Sequence, residues 1–192
     1  ALPGSSSAQV LFAKTTIAEL GSFQGATAIE VADIDGDGDT DVVGAAQVDD
    51  QIAWWSNANG DGTSWTRQTI ASGFDGAYDV AIGDLDGDGD LDVVGVANAS
   101  DLVSWWEQDT SASSPSWTHH SIATGFTGAI AVELADMDGD NDLDVVAAAN
   151  DPVTNSSMDD ITWWANDGSG GGWNPTIVDS ALTDAHDLAL AD

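Results

Sequence analysis

Apolar residues in this chain come in runs of about five to seven, closed by Gly, Asp or Asn, with no sustained three-to-four spacing of the helical kind. One set of runs is Ala26-Thr-Ala-Ile-Glu-Val-Ala32, Ala77-Tyr-Asp-Val-Ala-Ile-Gly83 and Ala129-Ile-Ala-Val-Glu-Leu-Ala135. A second is Asp41-Val-Val-Gly-Ala-Ala46, Asp92-Val-Val-Gly-Val-Ala97 and Asp144-Val-Val-Ala-Ala-Ala149. A third holds the pairs Trp54-Trp55, Trp105-Trp106 and Trp163-Trp164, and a fourth starts at Trp65, Trp117 or Trp173. Such lengths fit ordinary strands. Several runs are apolar at consecutive positions, which predicts strands covered on both faces.

The four runs form a repeating unit. Asp33 to Asp84 is 51 residues, Asp84 to Asp136 is 52, and Asp192 follows 56 later. A truncated fourth copy of the first run, Ala185-His-Asp-Leu-Ala-Leu-Ala191, precedes Asp192, and Phe12 takes the place of the fourth-run tryptophan ahead of the first unit. One strand around Val10 to Ile17, twelve in three units and one over Ala185 to Ala191 make an expected fourteen. A four-stranded antiparallel sheet packed on both faces by its neighbours is a propeller blade. The expected fold is therefore all-β, a β-propeller array of three complete repeats with partial strands at both ends. Residues 1–8 form an N-terminal segment and 9–192 the repeats, the fourth truncated from about 185.

Between the first and second runs of each unit lies an aspartate ladder, at 33–41, 84–92 and 136–144. Carboxylates at alternate positions of a short loop repel one another unless a hard, oxygen-seeking cation sits among them, and Ca²⁺ is such a cation. Positions one, three, five and nine would supply side-chain oxygens and position seven a backbone carbonyl. The first site is then Asp33, Asp35, Asp37 and Asp41 with the carbonyl of Asp39. The second is Asp84, Asp86, Asp88 and Asp92 with that of Asp90, and the third Asp136, Asp138, Asp140 and Asp144 with that of Asp142. Position six must turn sharply, which suits Gly38 and Gly89 and requires Asn141 to be left-handed. An EF-hand would carry a bidentate Glu at position twelve, where Gly44, Gly95 and Ala147 stand. Mg²⁺ keeps several waters and rarely uses four carboxylates. About three Ca²⁺ per chain are expected.

Charge narrows the partners. Lys14 and Arg67 face 34 acidic residues for a formal charge of −32, and three Ca²⁺ would bring this only to about −26. Nucleic acid and anionic membranes would be repelled. Salt or divalent cations would screen the surplus, which suits a saline, extracellular setting. Without Cys, rigidity must come from packing and metal. No apolar stretch is long enough to span a membrane. Asn98-Ala-Ser and Asn155-Ser-Ser match the N-glycosylation pattern, and Gly168-Ser-Gly-Gly-Gly172 is expected to be a flexible blade loop.

These ladders, each followed by Asp-Val-Val, and the Ile-Ala-Trp-Trp segment after Asp49-Asp50, resemble the FG-GAP/VCBS repeats found in integrin α-subunit heads and some fungal and bacterial extracellular proteins. The resemblance runs from about Phe12 to Asp192. It implies a Ca²⁺ in the loop between first and second strands, seven blades in the usual case, and extracellular or cell-surface recognition. The chain departs from it in having three complete units and in carrying Asn141 where Gly is usual.

The remaining residues set the alternatives. Nine tryptophans suit either core packing or sugar platforms, and their repetition favours packing, with adjacent members of a pair facing opposite sides of a strand. His119-His120 and His186 are not repeated and no nucleophile elbow is present, so no enzyme activity is expected. The leading expectation is a secreted, non-enzymatic, calcium-binding module with an adhesive or structural role, joined to further repeats or to copies of itself. The rivals are a lectin-like glycan binder and an accessory domain of a secreted enzyme. Glycans and extracellular proteins are the partner classes left open.

Overall fold

The computed structural model describes residues 15–17, 23–111, 115–150, 161–180, 182 and 185–190. These contain twelve strands and no helix. The first sheet is β1 (Ala26–Ala32), β2 (Asp41–Ala46), β3 (Gln51–Asn57) and β4 (Trp65–Ser72). The second is β5 (Ala77–Gly83), β6 (Asp92–Ala97), β7 (Leu102–Asp109) and β8 (Ser116–Thr124). The third is β9 (Ala129–Ala135), β10 (Asp144–Ala149), β11 (Ile161–Ala165) and β12 (Asn174–Asp179). Each sheet is an antiparallel meander in chain order, the blade that the fourfold pattern predicts.

Consecutive apolar positions are explained by two-sided burial. Val93 and Val94 are neighbours on β6, and the pleat sends them to opposite faces. Val93 joins Val43, Ala45, Ile52 and Trp54 in the core between the first two sheets. Val94 joins Trp105, Val132, Val145 and Trp164 in the core between the second and third. The tryptophan pairs divide in the same way. Trp54 and Trp105, each 1 % exposed, face the following sheet, whereas Trp55, Trp106 and Trp164 each take a ring edge-to-face, from Phe23, Phe74 and Phe126 respectively. The sheets approach closely. A Cβ on Gly95 would lie 2.6 Å from Ile52 Cδ1.

Aspartates also fasten one unit to the next. Asp50 and Asp101 hold positive φ of 54° and 58° in the turns before β3 and β7. Their carboxylates accept from the main-chain N–H of Gly76 and Gly128 in the following unit, at 2.9 and 3.2 Å. Asp79 on β5 accepts from Val132 N on β9 at 3.0 Å.

Of the two partial strands, Val10 to Ile17 falls mostly outside the described residues, and Thr15–Ile17 are not in a strand. Residues 185–190 form no ladder, and the described residues hold twelve strands. A strand needs a neighbour to satisfy its backbone, and among the described residues none pairs with this segment. The segment still runs near the inner strands, because Asp187 adds to the repulsion that raises the carboxyls of Asp79 and Glu133.

Candidate metal centres

The three ladders sit between the first two strands of their sheets, as the pattern requires. In each, Asp, Gly or Asn residues turn the chain so that main-chain N–H groups point back at the first carboxylate. Gly38 N donates to Asp33 at 2.9 Å, Gly89 N to Asp84 at 3.1 Å and Asn141 N to Asp136 at 3.0 Å. Those three donors are position six, with φ of 92°, 96° and 75°, so Asn141 takes the left-handed conformation expected of it.

Three carboxylates converge in every loop: Asp33, Asp35 and Asp37; Asp84, Asp86 and Asp92; Asp136, Asp138 and Asp144. Within each trio the ligand atoms lie within 4.8 Å of one another. Positions one and three therefore meet in all three loops. Position five joins them only in the first, and position nine only in the second and third. Asp37, Asp88 and Asp140 each accept from the N–H two residues on, at 2.9, 2.8 and 3.0 Å.

Position nine is wholly buried and does a second job. Asp41, Asp92 and Asp144 each accept from the N–H of position two of their own loop, Ile34, Leu85 or Met137, at 3.3, 2.9 and 2.8 Å. Each also accepts from the main-chain N–H at the end of the third strand, Asn57, Gln108 or Asn166, at 2.7, 2.9 and 2.9 Å. Position seven turns its side chain toward the next turn of its own unit. Asp90 accepts from Thr110 N and Oγ1, and a Cβ on Gly60 or Gly168 would collide with the carboxylate of Asp39 or Asp142. Its side chain is thus engaged within its own unit, and its carbonyl is the group that the ladder spacing assigns to an ion.

The electrostatics of the loops favour a cation. Asp35, Asp86 and Asp138, at position three, have carboxyls held above the ordinary range, first by burial and then by neighbouring carboxylates. Burial pushes Asp92 up to about 7 despite its two main-chain donors. Asp33 Oδ1 and Asp35 Oδ1 are buried with no hydrogen-bond partner. Buried acceptors are ordinarily satisfied, and an oxygen-seeking cation between the two would satisfy both. The donor set, all hard oxygen, suits Ca²⁺ and fits no soft metal.

Two sets of residues escaped the sequence reading. Ser56, Glu107 and Ala165 occupy one equivalent place beside position three: Ser56 Oγ donates to Asp35 at 3.2 Å, and Glu107 adds to the repulsion felt by Asp86. Asn57, Gln108 and Asn166 follow directly, and the repeat alignment marks them as the amide two places after each tryptophan pair. His120 stacks on Trp105 at 4.5 Å and pairs with Glu107 at 2.7 Å, while His119 tilts on Trp106, so both serve the packing of the second sheet. The glycine run is anchored at its middle. Gly170 is buried, its carbonyl accepts from Trp173 Nε1 at 3.1 Å, and its Cα lies against Trp105. Asn98 accepts from Gln47 Nε2 at 3.3 Å, and Asn155 lies outside the described residues.

Stacked four-stranded sheets with an acidic loop between the first two strands of each define a blade-repeat protein. The FG-GAP-like repeat family matches residues 33–95 and 85–147, which together span more than half of the chain, and the protein belongs to that family. No curated protein matches it.

Proposed function

We propose that the protein is a secreted, non-catalytic blade module, stabilised by about three Ca²⁺, whose role is adhesive or structural. The observation that carries the calcium part is the pair of buried, unpartnered oxygens Asp33 Oδ1 and Asp35 Oδ1, set in a loop whose counterparts likewise bring positions one and three together with a third carboxylate. Asp33, Asp35, Asp37 and Asp41 would hold the first ion, Asp84, Asp86, Asp88 and Asp92 the second, and Asp136, Asp138, Asp140 and Asp144 the third. The ion would neutralise the loop and lock the turn between the first two strands.

An extracellular setting is supported by the charge of −32, which calcium and salt relieve. A structural role is supported by the apolar residues left in water at the two end sheets, Ile29 and Val31 on β1 and Ile177 and Val178 on β12. A further blade stacked on either face would cover them. Thermal unfolding in excess chelator and in millimolar calcium tests the reading. The melting temperature should rise with free Ca²⁺, as mass action requires, and equal melting temperatures would overturn it.

A further inference from the structure

We infer that the three loops bind calcium cooperatively, coupled through the side-chain amides of Gln108 and Asn166. The inference rests on the loops being calcium sites. Gln108 Nε2 crosses from the second sheet to donate to the carbonyl of Ile34, position two of the first loop, at 3.0 Å. Its own main-chain N–H holds Asp92, position nine of the second loop, at 2.9 Å. Asn166 repeats the connection one unit later. Its Nδ2 donates to the carbonyl of Leu85, position two of the second loop, at 2.6 Å, and its N–H holds Asp144 of the third at 2.9 Å.

Leu85 N closes the link between them by donating to Asp92 at 2.9 Å. An unbroken buried series of hydrogen bonds therefore joins Asp41, Ile34, Gln108, Asp92, Leu85, Asn166 and Asp144.

Position two is flanked by two of the carboxylates that an ion draws together: Ile34 lies between Asp33 and Asp35, and Leu85 between Asp84 and Asp86. An ion in one loop thus fixes the carbonyl that the next unit's amide grips, and that amide seats position nine of the next loop. Gln108 and Asn166 are positioning residues, and they are fully or almost fully buried, so water does not compete for these bonds. Linkage makes the effect reciprocal: each filled loop tightens its neighbour.

The test is calorimetric calcium titration of the whole chain. Disabling the first site with Asp33→Asn and Asp35→Asn should weaken the second by about 5-fold or more, the low end of ordinary couplings. In a Gln108→Met background, which keeps the main-chain bond to Asp92 and removes the side-chain donor, the same pair should leave the second site much less affected. Gln108→Asn, the amide that the third unit uses, should restore part of the coupling.

An equal loss in both backgrounds, as through-space charge removal would give, overturns the inference. Should Gln108→Met not fold, the wild-type comparison at about 1 M KCl decides, because charge effects carried through solvent are then screened within about 3 Å. Absence of any loss at that salt overturns the coupling. No calcium bound to the wild-type chain in equilibrium dialysis would instead overturn the calcium reading itself.

Discussion

The indole Nε1 of Trp54 donates to Asp41 Oδ2 at 3.1 Å, so a tryptophan of the first interblade core is hydrogen-bonded to the last carboxylate of the first aspartate loop. The second unit lacks this bond, and Trp105 Nε1 is buried without a partner. Trp54→Phe should therefore cost about 1–3 kcal/mol, the range for a lost bond to a charged acceptor together with its unsatisfied partner. Trp105→Phe should cost less. Chemical denaturation of the two variants measures the difference, and equal costs would show that the Trp54–Asp41 bond adds nothing.

Truncating the same tryptophan is a different matter. Trp105 fills the core between the second and third sheets, with His120 stacked on one face. Trp105→Ala should lose about 3–5 kcal/mol, as large aromatic truncations in a core do. A denaturation midpoint close to wild type would count against packing and favour a ligand-binding role for the pair.

Removing ligands should remove one ion at a time. Asp86→Ala with Asp88→Ala takes positions three and five from the second loop, and bound calcium measured at saturation should fall by about one per chain. The first and third loops keep their carboxylates. A stoichiometry unchanged from wild type would exclude these two as ligands.

Acidity should stabilise the metal-free protein. The Asp92 carboxyl is raised to about 7 from an ordinary value of 3.8, mainly by burial. Between those values the folded state holds a proton that the unfolded state has released, so folding stability falls as pH rises through this window. Burial raises Asp41 and Asp79 as well, with the same sign. With calcium present the trend should reverse, since the ion binds the deprotonated loops. Melting temperatures across pH 4 to about 8, with chelator and with calcium, check both signs.

The end sheets should make the isolated chain associate. Ile29 and Val31 correspond to Val80 and Ile82 of the second unit, where Val80 is buried against the first sheet. Exposed apolar sheet faces of this kind are interaction surfaces. Light scattering after size exclusion in calcium buffer should show species larger than one chain. A monodisperse species at 19.6 kDa would refute this expectation.

Local chemistry made much of this protein legible from its residues alone. Strand boundaries at Ala26, Asp41, Ala77, Asp92, Ala129 and Asp144 follow from apolar runs that end where Asp and Gly begin, and the structure places strands there. Opposite facing of Trp54 and Trp55 follows from the strand's two-residue period, and the left-handed turn at Asn141 from the sharp bend at position six.

Tertiary structure alone decided the rest. Five carboxylates in a ladder look alike in sequence, yet only the folded loop shows that Asp37 completes the first trio, that Asp92 and Asp144 complete the other two, and that Asp90 leans onto Thr110. The link from Gln108 to Ile34 spans 74 residues and exists only because adjacent sheets stack. Residues 185–190 repeat the first-strand pattern faithfully and still form no ladder, since a strand is defined by the neighbour that satisfies its backbone and no pattern within the segment can supply one.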